Sequence, residues 1–232
     1  MIFASRHFAW LRLSSLPPGA QAARITTNAS NNKKFADKYY EQGLVFYQSM
    51  EYDRSIDDFT KALEINPQDR ENHKVYYMRG RAYLKNRQYD PAVNDFTKAL
   101  EICPAMDKET KFLILEARGD SYHALNKNEA AIKDFSEALA LNPKHENIKY
   151  VYTNRGWVWQ NKADYQKASQ DFYAALAMDS AFAPAYYGRA HSWDKLGNLE
   201  RALEDAKEAL RLEPASKKYE DLVFELRAKM KK

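Results

Sequence analysis

Between Asp37 and Pro214, small residues, aromatics and prolines return in the same order five times. The clearest unit runs from His73 to Pro104 and is marked by Gly80, Tyr83, Tyr89, Ala92, Phe96, Ala99 and Pro104. Gly43, Phe46, Tyr52, Phe59, Ala62 and Pro67 precede it, and Gly119, Tyr122, Ala131, Phe135, Ala138 and Pro143 follow it. Gly156, Trp159, Tyr165, Ala168, Phe172 and Ala175 make a fourth set. In the fifth, Ala190, Trp193, Ala202, Ala206, Ala209 and Pro214, alanine fills both the glycine slot and the phenylalanine slot. This pattern predicts two antiparallel helices per unit. A small residue on the first helix and alanines on the second permit close approach, while the aromatics fill the volume between them. No pair can cover its own apolar face, so neighbouring pairs must stack, and three or more are needed for stability.

Residues 217–232 predict one more helix, with Tyr219, Leu222, Val223, Leu226 and Met230 on a single face. Such a helix caps the last pair and turns its charged side, Lys218, Glu220, Asp221, Glu225 and Lys229, to water. The repeat starts near 36, 73, 112, 149 and 183 are spaced by 37, 39, 37 and 34 residues. The additions are polar and glycine-free, as in QDRENHKV after Pro67 and KHENIKY after Pro143, and they predict about one extra turn at the start of the next helix.

The aromatic, glycine, aromatic, Ala, Phe, Ala and Pro order resembles the tetratricopeptide repeat, a helix-turn-helix unit of 34 residues, across about residues 36–216. The resemblance implies an all-α, right-handed α-solenoid. Its repeats fall at about 36–69, 73–106, 112–145, 149–182 and 183–216, between a segment 1–34 and the capping helix 217–232. It also implies that the first helices line a concave groove that holds a peptide or helix. In the first two repeats that groove presents Tyr40, Leu44, Tyr47, Tyr77, Arg81 and Lys85. In the later ones it presents Glu116, Asp120, His123, Trp157, Gln160, Tyr187 and His191. Exposed aromatics and arginine are common interface anchors, and the acidic pair between them suits a ligand with basic residues at its centre.

Some relatives dock acidic C-termini of heat-shock chaperones through Lys and Asn on one first helix, Asn on the next, and Lys and Arg on the third. Here Tyr40 and Leu44 stand where Lys and Asn are wanted, and Met78 where Asn is wanted. Later starts meet Tyr77, Arg81 and Ala117, or Glu116 and Asp120, and Asn154 alone is well placed. A carboxylate would find too few donors in such a site. A second departure is arginine at 79, 118, 155 and 189, where the family usually has leucine. Asp95, Asp134, Asp171 and Asp205 lie 16 residues later, a spacing that predicts bidentate bridges inside each helix pair. The first unit has Gln42 facing Asp58 instead.

The formal charge of the 232-residue chain is +4, but residues 1–34 carry Arg6, Arg12, Arg24, Lys33 and Lys34 and no acid. The remainder holds 31 basic against 32 acidic residues, a balance of −1 that gives no reason to expect nucleic-acid binding. The first segment is arginine-bearing and serine-rich, as mitochondrial transit peptides are, and Arg12 interrupts the apolar run of a secretory signal. Cleavage after Arg24 is expected. No run reaches the roughly 20 apolar residues of a membrane span, and one cysteine, Cys103, excludes an internal disulfide framework. There is no glycine-rich phosphate loop, no histidine pair at metal-ligand spacing and no glycine-flanked serine elbow. The expectation is a non-enzymatic adaptor without cofactor that binds a protein or peptide, able to self-associate, and set in a mitochondrial complex as assembly factor or accessory subunit. The alternative is a cytosolic scaffold or atypical co-chaperone.

Overall fold

The computed structural model describes residues 18–231, and all the regular structure among them is helical. The order is α1 (Pro18–Gln48), α2 (Tyr52–Ile65), α3 (Asn72–Lys85), α4 (Tyr89–Ile102), α5 (Lys108–Ala124) and α6 (Asn128–Leu141). It continues with α7 (Ile148–Asn161), α8 (Tyr165–Met178), α9 (Ala183–Lys195), α10 (Leu199–Leu212) and α11 (Lys217–Met230). The chain separates at Asn86 and Arg87 into two compact units, the first ending with α3 and the second beginning with α4. A repeat array has no central core to forbid this, because each pair touches only its neighbours.

In the first unit, α1 runs on from Pro18 into the first repeat. The expected leader therefore lies partly in this helix, and its residues 1–17 lie outside the described residues. Phe59 of α2 is fully buried, 5.7 Å from the Tyr40 ring, and the Ser55 hydroxyl donates to the Gly43 carbonyl at 2.9 Å. Arg79 of α3 donates to the Thr60 hydroxyl at 2.9 Å, and Asn86 to Asp53 at 2.7 Å.

In the second unit, α5 with α6, α7 with α8 and α9 with α10 form antiparallel pairs around Phe135, Phe172 and a set of fully buried alanines. Arg118, Arg155 and Arg189 each make two hydrogen bonds of 2.7–2.9 Å to Asp134, Asp171 and Asp205. Arg118 and Arg155 spend a further N–H on the preceding second helix, at Thr97 (3.1 Å) and Ser136 (2.8 Å). For Arg118 burial acts against the charge, but the hydrogen bond and charge of Asp134 outweigh it and raise the guanidinium above its usual range. Asp171 is raised by burial against the pull of Arg155, so desolvation takes back part of that attraction. In the first unit, where Gln42 takes the arginine slot, Asp58 pairs with Lys61 at 2.8 Å instead.

Helix α11 closes the last pair. Leu222, Val223 and Leu226 pack on Ala190, Ala202 and Ala206, occupying space that Ala206 leaves open in the slot where the other repeats carry phenylalanine. Met230, expected on the same face, is 44 % exposed near the helix end.

The polar segments before α3 and α7 form turns and do not lengthen those helices, which have 14 residues each, as against 13 in α9 and 17 in α5. Side chains take over the backbone hydrogen bonds there, which is why a glycine-free stretch need not be helical. Asn72 donates to the Asn66 carbonyl at 2.9 Å, and Asp69 accepts from the Glu71 N–H at 2.9 Å. In the second turn, buried His145 stacks on Phe112 at 3.8 Å. Its Nδ1 accepts from the Asn147 N–H at 2.9 Å, and its Nε2 lies 2.7 Å from Glu109.

Every first helix ends in the same way. Met50, Arg87, Asn126, Ala163 and Gly197 take positive φ, from 56° to 79°. After α7, the Ala163 N–H reaches the Gln160 carbonyl (2.8 Å) and the Asp164 N–H reaches Trp159 (2.9 Å), a Schellman ending. Only one of the five is glycine. Ala163→Gly should therefore stabilise the chain, by about 0.5–1 kcal/mol, because relief of the left-handed strain exceeds the added chain entropy. A rise in the urea midpoint checks this, and an unchanged or lower midpoint contradicts it.

Candidate functional site: the first-helix face

The residues expected to line a groove are divided between the two units. In the first, Tyr40, Leu44 and Tyr47 sit on α1 and Tyr77, Arg81 and Lys85 on α3. Arg81 lies over two rings, 5.2 Å from the Tyr47 centre and 5.6 Å from Tyr77. Burial raises the Tyr47 and Tyr40 hydroxyls above their usual range. Tyr40 turns partly toward Phe59, so it divides its surface between core and face. Lys85 is exposed.

In the second unit, Glu116, Asp120 and His123 are on α5, Trp157 and Gln160 on α7, and Tyr187 and His191 on α9. Consecutive first helices are joined side by side through these residues. Asp120 accepts from Asn154 at 2.8 Å, and His123 lies 3.0 Å from Asn161. Gln160 donates to the Gly188 carbonyl and the Ser192 hydroxyl, both at 2.7 Å. Trp157 packs on Phe172 at 5.2 Å and on Tyr187 at 5.9 Å. Tyr187 continues to His191 at 4.6 Å and to Tyr219 of α11 at 5.0 Å. These side chains are half-buried: they seat one repeat on the next and offer the rest of their surface to solvent. Burial pulls both His123 and His191 below the usual imidazole range, so they are neutral at pH 7 and serve as hydrogen-bonding surface.

The sequence pattern does not pick out the contribution of α11. Lys218 lies over the rings of Tyr187 (5.3 Å) and Tyr219 (4.6 Å), and Lys229 pairs with Asp194 at 2.6 Å. The signal available was the 31-residue offset between Tyr187 and Lys218, near the repeat length, which places the cap beside α9 as a further first helix. Asn154, the one well-placed clamp residue, has its amide engaged by Asp120. Cys103 is buried, and burial raises its thiol, the opposite of a reactive thiolate. Among the described residues no helix is long and apolar enough to cross a membrane.

Models of the tetratricopeptide repeat match residues 36–69, 73–106, 112–145 and 183–216, more than half of the chain. Protein unc-45 homolog B of Mus musculus is 28% identical over 112 residues, covering 48% of this chain and 12% of that protein. The mitochondrial import receptor subunit TOM70 of Homo sapiens is 29% identical over 90 residues, covering 38% of this chain and 15% of that protein. The chain thus spans less than a sixth of either relative. The crystal structure of YrrB, described as a TPR protein with an unusual peptide-binding site, superposes with a TM-score of 0.66 at 23% identity, covering 88% of this chain and 97% of that one. The shared fold is an all-α helical-repeat solenoid.

Proposed function

Because the chain belongs to the tetratricopeptide-repeat family, we propose that it is a non-enzymatic adaptor that holds a peptide or helix of a partner protein against its first helices. We place it in a mitochondrial complex, as assembly factor or accessory subunit, with residues 1–34 as its import segment. The observation that carries the binding mode is the row from Asp120 and His123 through Trp157 and Gln160 to Tyr187 and His191. It combines half-buried aromatics with fixed hydrogen-bonding groups on successive helices. Rigid aromatics with polar neighbours are the usual anchors of a protein interface. The mitochondrial setting is supported by the acid-free, arginine-bearing start and by partial similarity to an import receptor subunit.

Native purification of the full chain, tagged at its C-terminus, followed by lysine-directed cross-linking, tests both parts. Cross-links to the partner should concentrate on exposed Lys85 and Lys195 of the first helices and avoid exposed Lys98 and Lys133 of the second helices. The reverse distribution overturns the first-helix reading. A bait trimmed beyond Arg24 and bound to organelle proteins supports import. An intact Met1 with cytosolic chaperones favours a cytosolic scaffold instead.

A further inference from the structure

Each repeat sets an aromatic three residues after its small slot: Phe46, Tyr83, Tyr122, Trp159 and Trp193. All five are partly buried, and three of them receive a cation from their own second helix, eight residues later. Arg54 lies over Phe46 at 5.5 Å, Lys167 over Trp159 at 4.5 Å and Arg201 over Trp193 at 5.0 Å. Carried forward by the 31-residue offset that aligns Lys218 with Tyr187, the same slot on α11 holds Phe224. There the ring is 75 % exposed.

The charges around Phe224 are sorted along the helix. Tyr219, Leu222, Val223 and Leu226 take the buried side of α11. On the opposite side Lys217, Glu220, Asp221, Arg227 and Lys231 fall within about 60° of Phe224 at the helical spacing, and all are exposed. Toward the N-terminus Lys217 pairs with both Glu220 and Asp221 at 3.1 Å, so that end keeps one negative charge in excess. Toward the C-terminus Arg227 and Lys231 make no ion pair among the described residues. The strip is therefore acidic before its aromatic centre and basic after it.

We infer that this strip is the contact surface of a second copy of the chain, with two α11 helices lying antiparallel about a two-fold axis at Phe224. Asp221 and Arg227 stand three residues on either side of that centre, so the antiparallel register sets Asp221 of each copy against Arg227 of the other, twice. Lys217 meets Lys231 in the same register, but its charge is already offset by Glu220 and Asp221. A parallel register would set like ends together. The second copy gives Phe224 what second helices give the other aromatics: apolar cover, and a cation one turn away in Arg227. Because the contact is isologous, it closes at two chains. One helix pair buries less than the roughly 1,600 Å² of a standard interface, so the dimer is weak and forms at high concentration. Association through α11 goes beyond the partner reading above and does not depend on it.

Sedimentation of the full chain, over a concentration series reaching about millimolar, reads the average mass, which should climb toward two chains. Phe224→Ala should weaken the association about tenfold, as loss of a central aromatic anchor does. Asp221→Arg and Arg227→Asp, each alone, set like charges opposite one another and should abolish it. An equimolar mixture of these two variants restores both pairs and should recover the dimer. All three positions are exposed, and circular dichroism of each variant checks that its helices are intact. A mass that stays at one chain throughout overturns the inference, as does a mixture no more associated than either variant alone. Association that survives Phe224→Ala places the contact elsewhere, and a mass that climbs past two chains without a plateau overturns the two-fold register.

Discussion

Trimming Phe172 to alanine should lower the stability of the chain by about 3–5 kcal/mol, read as a shift of the urea transition followed by circular dichroism. The ring is fully buried and is held from two sides. A Cβ at Gly156, on its own first helix, would lie 2.9 Å from the ring, and a Cβ at Gly188, on the next first helix, only 2.4 Å. Two successive helix pairs are thus packed against one aromatic, and removing it opens a cavity that both share. The same geometry makes Gly188→Ala disruptive, because a methyl group at 2.4 Å must displace either the ring or the helix. Phe172→Leu should recover part of the loss caused by Gly188→Ala. If the two changes simply add, the ring and the glycine are not in register and the account is wrong.

Asp171→Ala should cost about 3–5 kcal/mol, because it leaves Arg155 partly buried without its acceptor. The carboxylate is 7% exposed in its side chain and the guanidinium 20%, and both oxygens are used at 2.7–2.8 Å. Replacing both partners, Arg155→Met with Asp171→Leu, should restore most of the stability, since no buried charge then lacks a partner. Thermal unfolding of the single and double variants distinguishes this from packing damage: a double variant as unstable as Asp171→Ala would show that shape, and not charge, governs the site.

These bridges were legible in the sequence because arginine and aspartate recur with the repeat, and a 16-residue offset carries one helix across its hairpin to the other. The helix pairs were legible for the same reason: small and aromatic residues keep their slots. Other features depend on how far a helix rotates, which periodicity does not fix. Trp157 reads as a surface anchor, yet it leans on Phe172 and Tyr187, because part of a turn separates the open face from the seam between repeats. The turns at Asp69 and His145 were misread as helix since polar, glycine-free segments lack the usual breakers. What closes them is Asn, Asp and His side chains bonding to nearby backbone and to one another. Gly188 carries no motif mark, and its role appears only once α9 is seated against Phe172.

On the proposed first-helix reading, the side chains that join α5, α7, α9 and α11 are also those that a partner would touch, which would couple recognition to mechanics. Substituting Trp157, Gln160 or Tyr187 to retune specificity would loosen the seams, so diversification without damage is confined to exposed positions such as Lys195 and Glu225. Conversely, a segment laid across these helices bridges several seams at once and acts as a splint. The second unit of an occupied adaptor should therefore resist bending more than an empty one, whatever the sequence of the segment it carries.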